Sequence, residues 1–401
     1  MTHPHRIRNM THLEDAQLDG GASFPGCLVN GRSPYDEQVM SMPTAMTTDV
    51  CAHIPATTET CAGHYFFFLF NFDNYYHFLY DTLPYLHFYK ILCSYSLSPV
   101  FLLVSSNIHW RPFHKEMFSL LGIPETAFCV ARDGVKYEHL YVPTSLTHGH
   151  LLTGEWASNL PPEPDAYNIW IDAMKRALAL PRMTAPLKIY ISRRSHIHGD
   201  MSNIGTNYTT RRRCVNEDEV VETVRQFGYT EVFCETQSMT EKIQMFGDVT
   251  HVIGFIGGGM ANLLFSPEHV RVGCITTPDF LRINSRFRFS MEHTQIHYLP
   301  ITTLASYTGS LPPYVRVRIV DMSSVWANKI GEVDSFVDSS GAEVYCVRIA
   351  SGPVAGFALE SSDSVRIHFR REQLEPLDAG LNSPFSCDIA ALRKYLESSD
   401  E

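Results

Sequence analysis

Residues 250–265 read THVIGFIGGGMANLLF: an apolar run that breaks on three successive glycines and resumes as a second apolar run. The first part, Thr250–Ile256, reads as a buried strand, and Met260–Phe265 reads as a short helix. Gly257, Gly258 and Gly259 form the turn between them. Such a turn lets backbone approach a ligand closely, and the helix that follows offers unpaired N–H groups. The blander reading is tight packing of strand against helix. The turn is not G-x-G-x-x-G and lies late in the run of elements, which argues against a dinucleotide-binding domain of the usual order.

The flanking sequence extends the pattern in both directions. Leu187–Ile191 is a strand. Asn216–Phe227 is a helix opened by a capping box, Asn216 with Glu219, and closed by Gly228; Val220, Val221, Val224 and Phe227 share one face. Thr230–Cys234 is a strand. Ser238 and Glu241 form a second capping box, opening a helix through Phe246, and Arg271–Thr276 is a further strand. This order predicts a doubly wound sheet with right-handed crossovers. In such a sheet the C-terminal strand ends share the ligand edge. Arg193 or Arg194, just after the first strand, can therefore meet the glycine turn, with Arg211, Arg212 and Arg213 before the first capped helix. Guanidinium pairs well with a diphosphate; the alternative is a solvated basic surface.

The first half alternates too: strand Tyr65–Phe70, helix Asn74–Leu92, strand Val100–Ser105, amphipathic helix Arg111–Leu121, and short strands at Ala127–Ala131 and His139–Val142. Asn74, His77 and Asp81 fall on one face of an otherwise apolar helix, at a strand's C-terminal edge. A hydroxyl acceptor needs a base, and His77 or Asp81 could serve; a buried histidine satisfied by a carboxylate is the bland alternative. Prolines 161, 162 and 164 place a linker in Gly154–Asp165, with helix Ala166–Leu180 packing across it. The reading divides the chain into Rossmann-like domains at 1–160 and 161–312, a small SH3-like β-barrel at 313–380, and a tail at 381–401.

Composition sets limits. The chain has 401 residues, 44% apolar and 19% charged, with net charge −11, which disfavours nucleic acid and anionic membranes as partners. The ten cysteines include no C-x-x-C; Cys51 and Cys61 could close one loop, but reduced thiols in a cytoplasmic protein are the preferred reading. The N-terminus lacks a signal-peptide core, and the most apolar run, YFFFLFN at 65–71, is far short of the ~20 residues of a membrane span. The sequons at Asn9 and Asn207 read as chance. No D-x-D motif occurs, so no metal is expected on a diphosphate; arginine and a helix N-terminus can neutralise that charge instead. His196, His198 and Asp200 read as a polar loop rather than a metal site. Self-association into a homo-oligomer is left open.

Taken together, KIYISRR (188–194), RRCVNEDEV (212–220), ETQSMTEKIQMF (235–246), VIGFIGGGMANLLFSP (252–267) and NYYHFLYD (74–81) resemble glycosyltransferase family 61, over roughly residues 65–300. That family includes capsular-polysaccharide enzymes, plant xylan-decorating xylosyl- and arabinosyltransferases, and animal O-linked N-acetylglucosaminyltransferases. The resemblance implies a GT-B pair of domains, a UDP-sugar donor, inversion, and no metal or other cofactor. It implies a glycan or glycoprotein acceptor. By position, Arg193, with Arg194 and Arg213 nearby, would hold the diphosphate. Gly257, Gly258, Gly259, Met260 and Ala261 form the turn and helix start beside it, with N–H groups of Gly258, Gly259 and Met260 offered to it. Asn262 and Ser238 would line the nucleotide pocket. Asn74, His77 and Asp81 would face the acceptor, Asp81 as base. The family pattern H-G-A-G-L-A-N has Ile256 here at its first position, which implies an altered donor preference or a non-catalytic nucleotide- or glycan-binding relative. A scaffold protein acting through its C-terminal barrel is the third reading.

Overall fold

The computed structural model describes residues 10–19, 28–30, 59–70, 72, 74–106, 108–143, 150–152, 155–157, 168–181, 186–194, 213–277, 295–299, 302–303, 311, 315–339, 342–350, 364–377 and 384–399. The chain is a mixed α/β protein with two sheets of parallel character and a third, antiparallel one.

The first sheet contains β1 (Met10–Asp19), β2 (Leu28–Val29), β3 (Thr60–Phe67), β4 (Val100–Val104), β5 (Phe128–Val130) and β6 (Val135–Pro143), ordered β2-β1-β6-β3-β4-β5. β3 runs parallel to β4 and β6, and β1 is antiparallel to β6. A hairpin, β7 (His150–Leu152) with β8 (Glu155–Ala157), follows. Most of the linker segment lies outside the described residues. The second sheet is wholly parallel: β9 (Lys188–Ile191), β10 (Thr230–Val232), β11 (His251–Phe255), β12 (Arg271–Ile275) and β13 (Gln295–Leu299), ordered β10-β9-β11-β12-β13. This is the predicted doubly wound arrangement. A short strand pair, β14 (Thr302–Thr303) with a later strand at Ser386–Cys387, flanks it.

The helix after β3 departs from regularity. It runs as α1 (Tyr75–His77), a π turn (Phe78–Thr82), a 3-10 turn (Leu83–Tyr85) and α2 (Leu86–Tyr95). Pro84 has no N–H to give the Tyr80 carbonyl, so a regular α ladder cannot pass through. The other helices are α3 (Pro112–Leu120), α4 (Asn168–Leu178), α5 (Glu217–Gln226), α6 (Met239–Asp248) and α7 (Ile389–Ser399). α6 has the predicted capping box. The box predicted for α5 does not form: the Asn216 amide instead donates to the Cys387 carbonyl (2.9 Å) and accepts from the Cys387 N–H (2.8 Å). Tertiary pairing with a strand edge satisfies more of that amide than a local cap would.

One apolar cluster runs through both halves, from Phe66 and Leu103 of the first sheet to Ile189, Val252 and Met260 of the second. The C-terminal residues form α7, whose Leu392 and Leu396 pack with Val220 and Val224 of α5 and Ile253 of the second sheet. The third sheet has β15 (Arg316–Ile319), β16 (Ile330–Ser339), β17 (Ala342–Ala350), β18 (Ser364–Arg370) and β19 (Leu374–Pro376), followed in the chain by β20, the Ser386–Cys387 strand. Its order is β18-β17-β16-β15-β19, around its own core of Val317, Val333, Tyr345 and Phe369. β16 has no counterpart in the sequence reading, and the FALES segment at 357–361 lies outside the described residues. No pairing joins β18 to β19 among the described residues, so the sheet is an open antiparallel row. Eight described cysteines, Cys61 among them, are free thiols.

His114 of α3 is fully buried between aromatic rings. Its Nε2 bonds the Phe72 carbonyl (2.9 Å), and its Nδ1 accepts the Arg111 N–H (3.0 Å). Burial pushes its pKa from 6.5 down to about 4. The unfolded chain therefore binds more protons than the native one between those values. Stability should be complete above pH 6.5 and fall as pH drops towards 4, by about 3 kcal/mol from this group. Urea unfolding across that range tests it; His114→Gln should flatten this part of the profile.

Candidate active site

The order of the second sheet reverses direction at β9, so β10 and β11 lie on its two sides. Ligands of such sheets bind at this switch point, beyond the carboxyl ends of the strands. Ser192 and Arg193 leave β9 there, Glu235 follows β10 in a 3-10 turn (Cys234–Thr236), and Gly257–Gly259 follow β11. β9 and β11 pair directly, with Ile191 opposite Gly254. The strands that lead to the arginine and glycine segments are thus neighbours that end on one edge.

Glu217, the first residue of α5, fixes the exit from β9. Its buried carboxylate accepts from Tyr190 Oη (3.0 Å), Ser192 Oγ (3.1 Å) and the Arg193 N–H (2.7 Å). Burial raises its pKa, and those three donors oppose the rise. Arg193 is enclosed enough that burial lowers its pKa, while Glu217, Tyr190 and Glu235 favour its charge. Arg194 differs from the expectation. Its Nε and Nη2 form a fork with Glu231 (2.7 and 2.8 Å), and Nη1 pairs with Asp218. Glu231 sits beside Tyr190 in the β9–β10 register, which puts that carboxylate within reach. Its guanidinium is already engaged. Arg213 is exposed and, with Arg193, Arg194, Cys214, Glu217 and Asp218, lines a small polar pocket at the start of α5.

The three glycines of the turn separate into two kinds. A Cβ on Gly259 would stand 2.7 Å from Ile191 Cγ2, so packing alone requires glycine there. Gly257 and Gly258 are different: their nearest neighbours would be the Phe255 carbonyl and Tyr75 Cδ1, both at 3.9 Å. Gly257 has extended backbone (φ 166°), open to any residue. Neither packing nor strain accounts for glycine at 257 and 258. Gly258–Phe265 forms a 3-10 helix, and its first N–H groups have no acceptor within the helix.

Four residues expected at the donor also have contacts within the fold. The Met260 N–H donates to the Gly257 carbonyl (3.1 Å). Asn262 is fully buried, accepting from Tyr75 Oη (2.5 Å) and donating to the Gly259 carbonyl (2.9 Å). Ser238 caps α6: its hydroxyl accepts from the Glu241 N–H (3.2 Å) and donates to the Glu241 carboxylate (2.8 Å). Ala261 is buried, and its carbonyl accepts from Tyr80 Oη (2.9 Å).

Tyr75 joins this site to the other candidate cluster. Asn74 caps its helix, accepting from the His77 N–H (3.2 Å). His77 Nδ1 lies 2.5 Å from Asp81 Oδ2; the His77 side chain is 40% exposed and that of Asp81 only 1%. With Asp81 ionised, Nδ1 carries the proton and Nε2 holds the lone pair. Asp81 is thus the buried member of the pair and His77 the exposed one.

Four participants were not singled out from the sequence: Tyr75, Glu217, Glu235 and Lys242. Only Lys242 left a clear signal. Met239, Lys242, Ile243 and Phe246 occupy i, i+3, i+4 and i+7, so a lysine stands in the core-facing stripe of α6. His196, His198, Asp200, Arg211 and Arg212 lie outside the described residues. Among the described residues, His12, Glu14 and His139 form one grouping with metal-ligand spacing, on β1 and β6, which contribute nothing to this site. No helix of the described residues is long and apolar enough to cross a membrane.

Residues 75–273 match the family model described as Glycosyltransferase 61. None of the curated proteins searched matches the chain.

The glycine argument has a direct check. Gly259→Ala should destabilise the fold by about 1–3 kcal/mol through overpacking. Gly257→Ala should stay within about 0.5 kcal/mol of the parent. Urea unfolding of both variants compares them.

Proposed function

With residues 75–273 belonging to glycosyltransferase family 61, we propose that this protein transfers a sugar from a UDP-sugar to a hydroxyl of a glycan or glycoprotein, with inversion and without a metal ion. The observation that carries the reading is the pair of glycines at 257 and 258, unneeded by packing, at the end of the strand that pairs with the one leading to Arg193. The sugar is N-acetylglucosamine, xylose or another pentose. In this reading the two parallel-type sheets are the halves of a GT-B enzyme, with the donor on the second and the acceptor entering beside the first.

The chemistry is a single displacement. The acceptor oxygen attacks the anomeric carbon, the bond from that carbon to the diphosphate oxygen breaks, and UDP leaves. His77 Nε2 takes the hydroxyl proton, and Asp81 stabilises the imidazolium that results. This moves the base from Asp81 to His77, because exposure and hydrogen bonding leave His77 as the reachable member of the pair. Arg193 and the N–H groups opening the 3-10 helix neutralise the departing diphosphate. The third sheet, read as an SH3-like module, engages the acceptor or a partner protein.

A second reading, a nucleotide-binding relative without transfer, is favoured by Ile256. It is buried and brings no polar group to the turn where the family pattern has histidine.

Thermal-shift titration with UDP, GDP and CMP, each with and without EDTA, should show stabilisation by UDP that survives EDTA. No shift with any nucleotide would sink the proposal. Arg193→Ala should weaken UDP binding by about 1.5–3 kcal/mol. Asp81→Asn and His77→Ala should keep UDP binding and lower transfer by about 10²–10⁴-fold. Normal turnover in His77→Ala with a dead Asp81→Asn would return the base to Asp81, and UDP binding without turnover in the parent would favour the second reading.

A further inference from the structure

Lys242 is a buried cation that packs over a ring and has no ion pair among the described residues. Only 6% of its surface is exposed. Its Nζ lies 4.8 Å from the centroid of the Tyr75 ring. No carboxylate comes within the 4.0 Å of an ion pair among the described residues. Burial pulls its pKa down, while Cys234, Glu116, Glu235 and Glu241 lie near enough to favour the charge. Burying a lysine this far without a close carboxylate costs stability. An apolar residue would suit this position of α6 better, since Met239, Ile243 and Phe246 of the same stripe are all buried.

The surroundings point to what completes it. The ring beneath Nζ is the one that faces Gly258, whose Cβ position lies 3.9 Å from Tyr75 Cδ1. Tyr75 is held in place by Asn262 (2.5 Å) and Met239 Sδ (3.3 Å). Glu235 acts electrostatically on both Lys242 and Arg193. Lys242 and Gly258 thus flank the same Tyr75 ring, on segments that follow β10 and β11, and Arg193 leaves β9 between those two strands.

We propose that Lys242 is a second diphosphate-binding residue, acting with Arg193 on the donor's phosphate oxygens. The inference rests on the donor reading given above. As the bond from the anomeric carbon to the diphosphate oxygen breaks, negative charge grows on the leaving group. A lysine already desolvated beside it stabilises that charge without reorganisation. A compact ammonium suits non-bridging phosphate oxygens, while the arginine fork suits two at once.

The test uses the full chain and its Lys242→Met and Lys242→Arg variants, with UDP, uridine and inorganic pyrophosphate as probes. Calorimetry should show Lys242→Met losing about 10- to 100-fold in affinity for UDP and for pyrophosphate, with uridine unaffected. Lys242→Arg should keep most of the UDP affinity. The ligand-free melting temperature of Lys242→Met should equal or exceed the parent's, because a buried unpaired charge is gone. A purely structural lysine would lower stability and weaken uridine and UDP alike, and that pattern overturns the proposal. Parent-like UDP binding by Lys242→Met also overturns it, leaving the donor reading intact. A parent that binds none of the three probes removes both. Should Lys242→Met fail to fold, the Lys242→Arg comparison decides: parent-like stability with UDP affinity lost to the same degree as uridine affinity counts against the proposal.

Discussion

The junction of Tyr75 with Asn262 holds the two halves in one body. The Tyr75 hydroxyl donates to the Asn262 side-chain oxygen at 2.5 Å, and the amide of Asn262 closes on the Gly259 carbonyl at 2.9 Å. A residue at the start of the helix after β3 is thereby fixed to the helix after β11. A hydrogen bond of this kind contributes about 1 kcal/mol net, but leaving either buried partner unsatisfied costs about 1–3 kcal/mol. Glu116 of α3 reinforces the join by accepting from the Met239 N–H (2.5 Å), one of the free donors at the start of α6. The continuous apolar cluster beneath these bonds supplies most of the adhesion.

That junction sets the layout of the site. It brings a histidine–carboxylate pair on one sheet's edge close to a glycine turn on another's. The π turn between them has a local cause in Pro84 and a positional consequence. His77 and Asp81 meet at 2.5 Å across it, the carboxylate buried and the imidazole partly exposed. Asn262, Ser238 and Arg194, which the sequence offered to the donor, each bond neighbours within the fold.

The buried charges of the second half follow one logic. Glu217 is surrounded by three donors and stabilises the turn that presents Arg193. Arg194 is neutralised by two carboxylates. Lys242 packs over the Tyr75 ring and has no carboxylate at ion-pair distance among the described residues.

Much of this was legible in the sequence. The alternation of strands and helices across 187–276 fixed a doubly wound sheet, since hydrophobic periodicity and capping signals are local. The same locality placed Arg193 and the glycine turn on one edge, because parallel strands must end on the same side. The Ser238–Glu241 box was equally readable, as both partners lie within one turn. What only the tertiary structure decided involves partners far apart in the chain. Asn216 abandons its local cap for Cys387, 171 residues away. Gly259 is required by Ile191, whereas Gly258 is free. Arg194 is claimed by Glu231, and α7 folds back onto the second sheet. Pattern and propensity act over a few residues and so can be read from the chain; the satisfaction of a particular amide, carboxylate or ammonium depends on which distant groups the packed core brings to it.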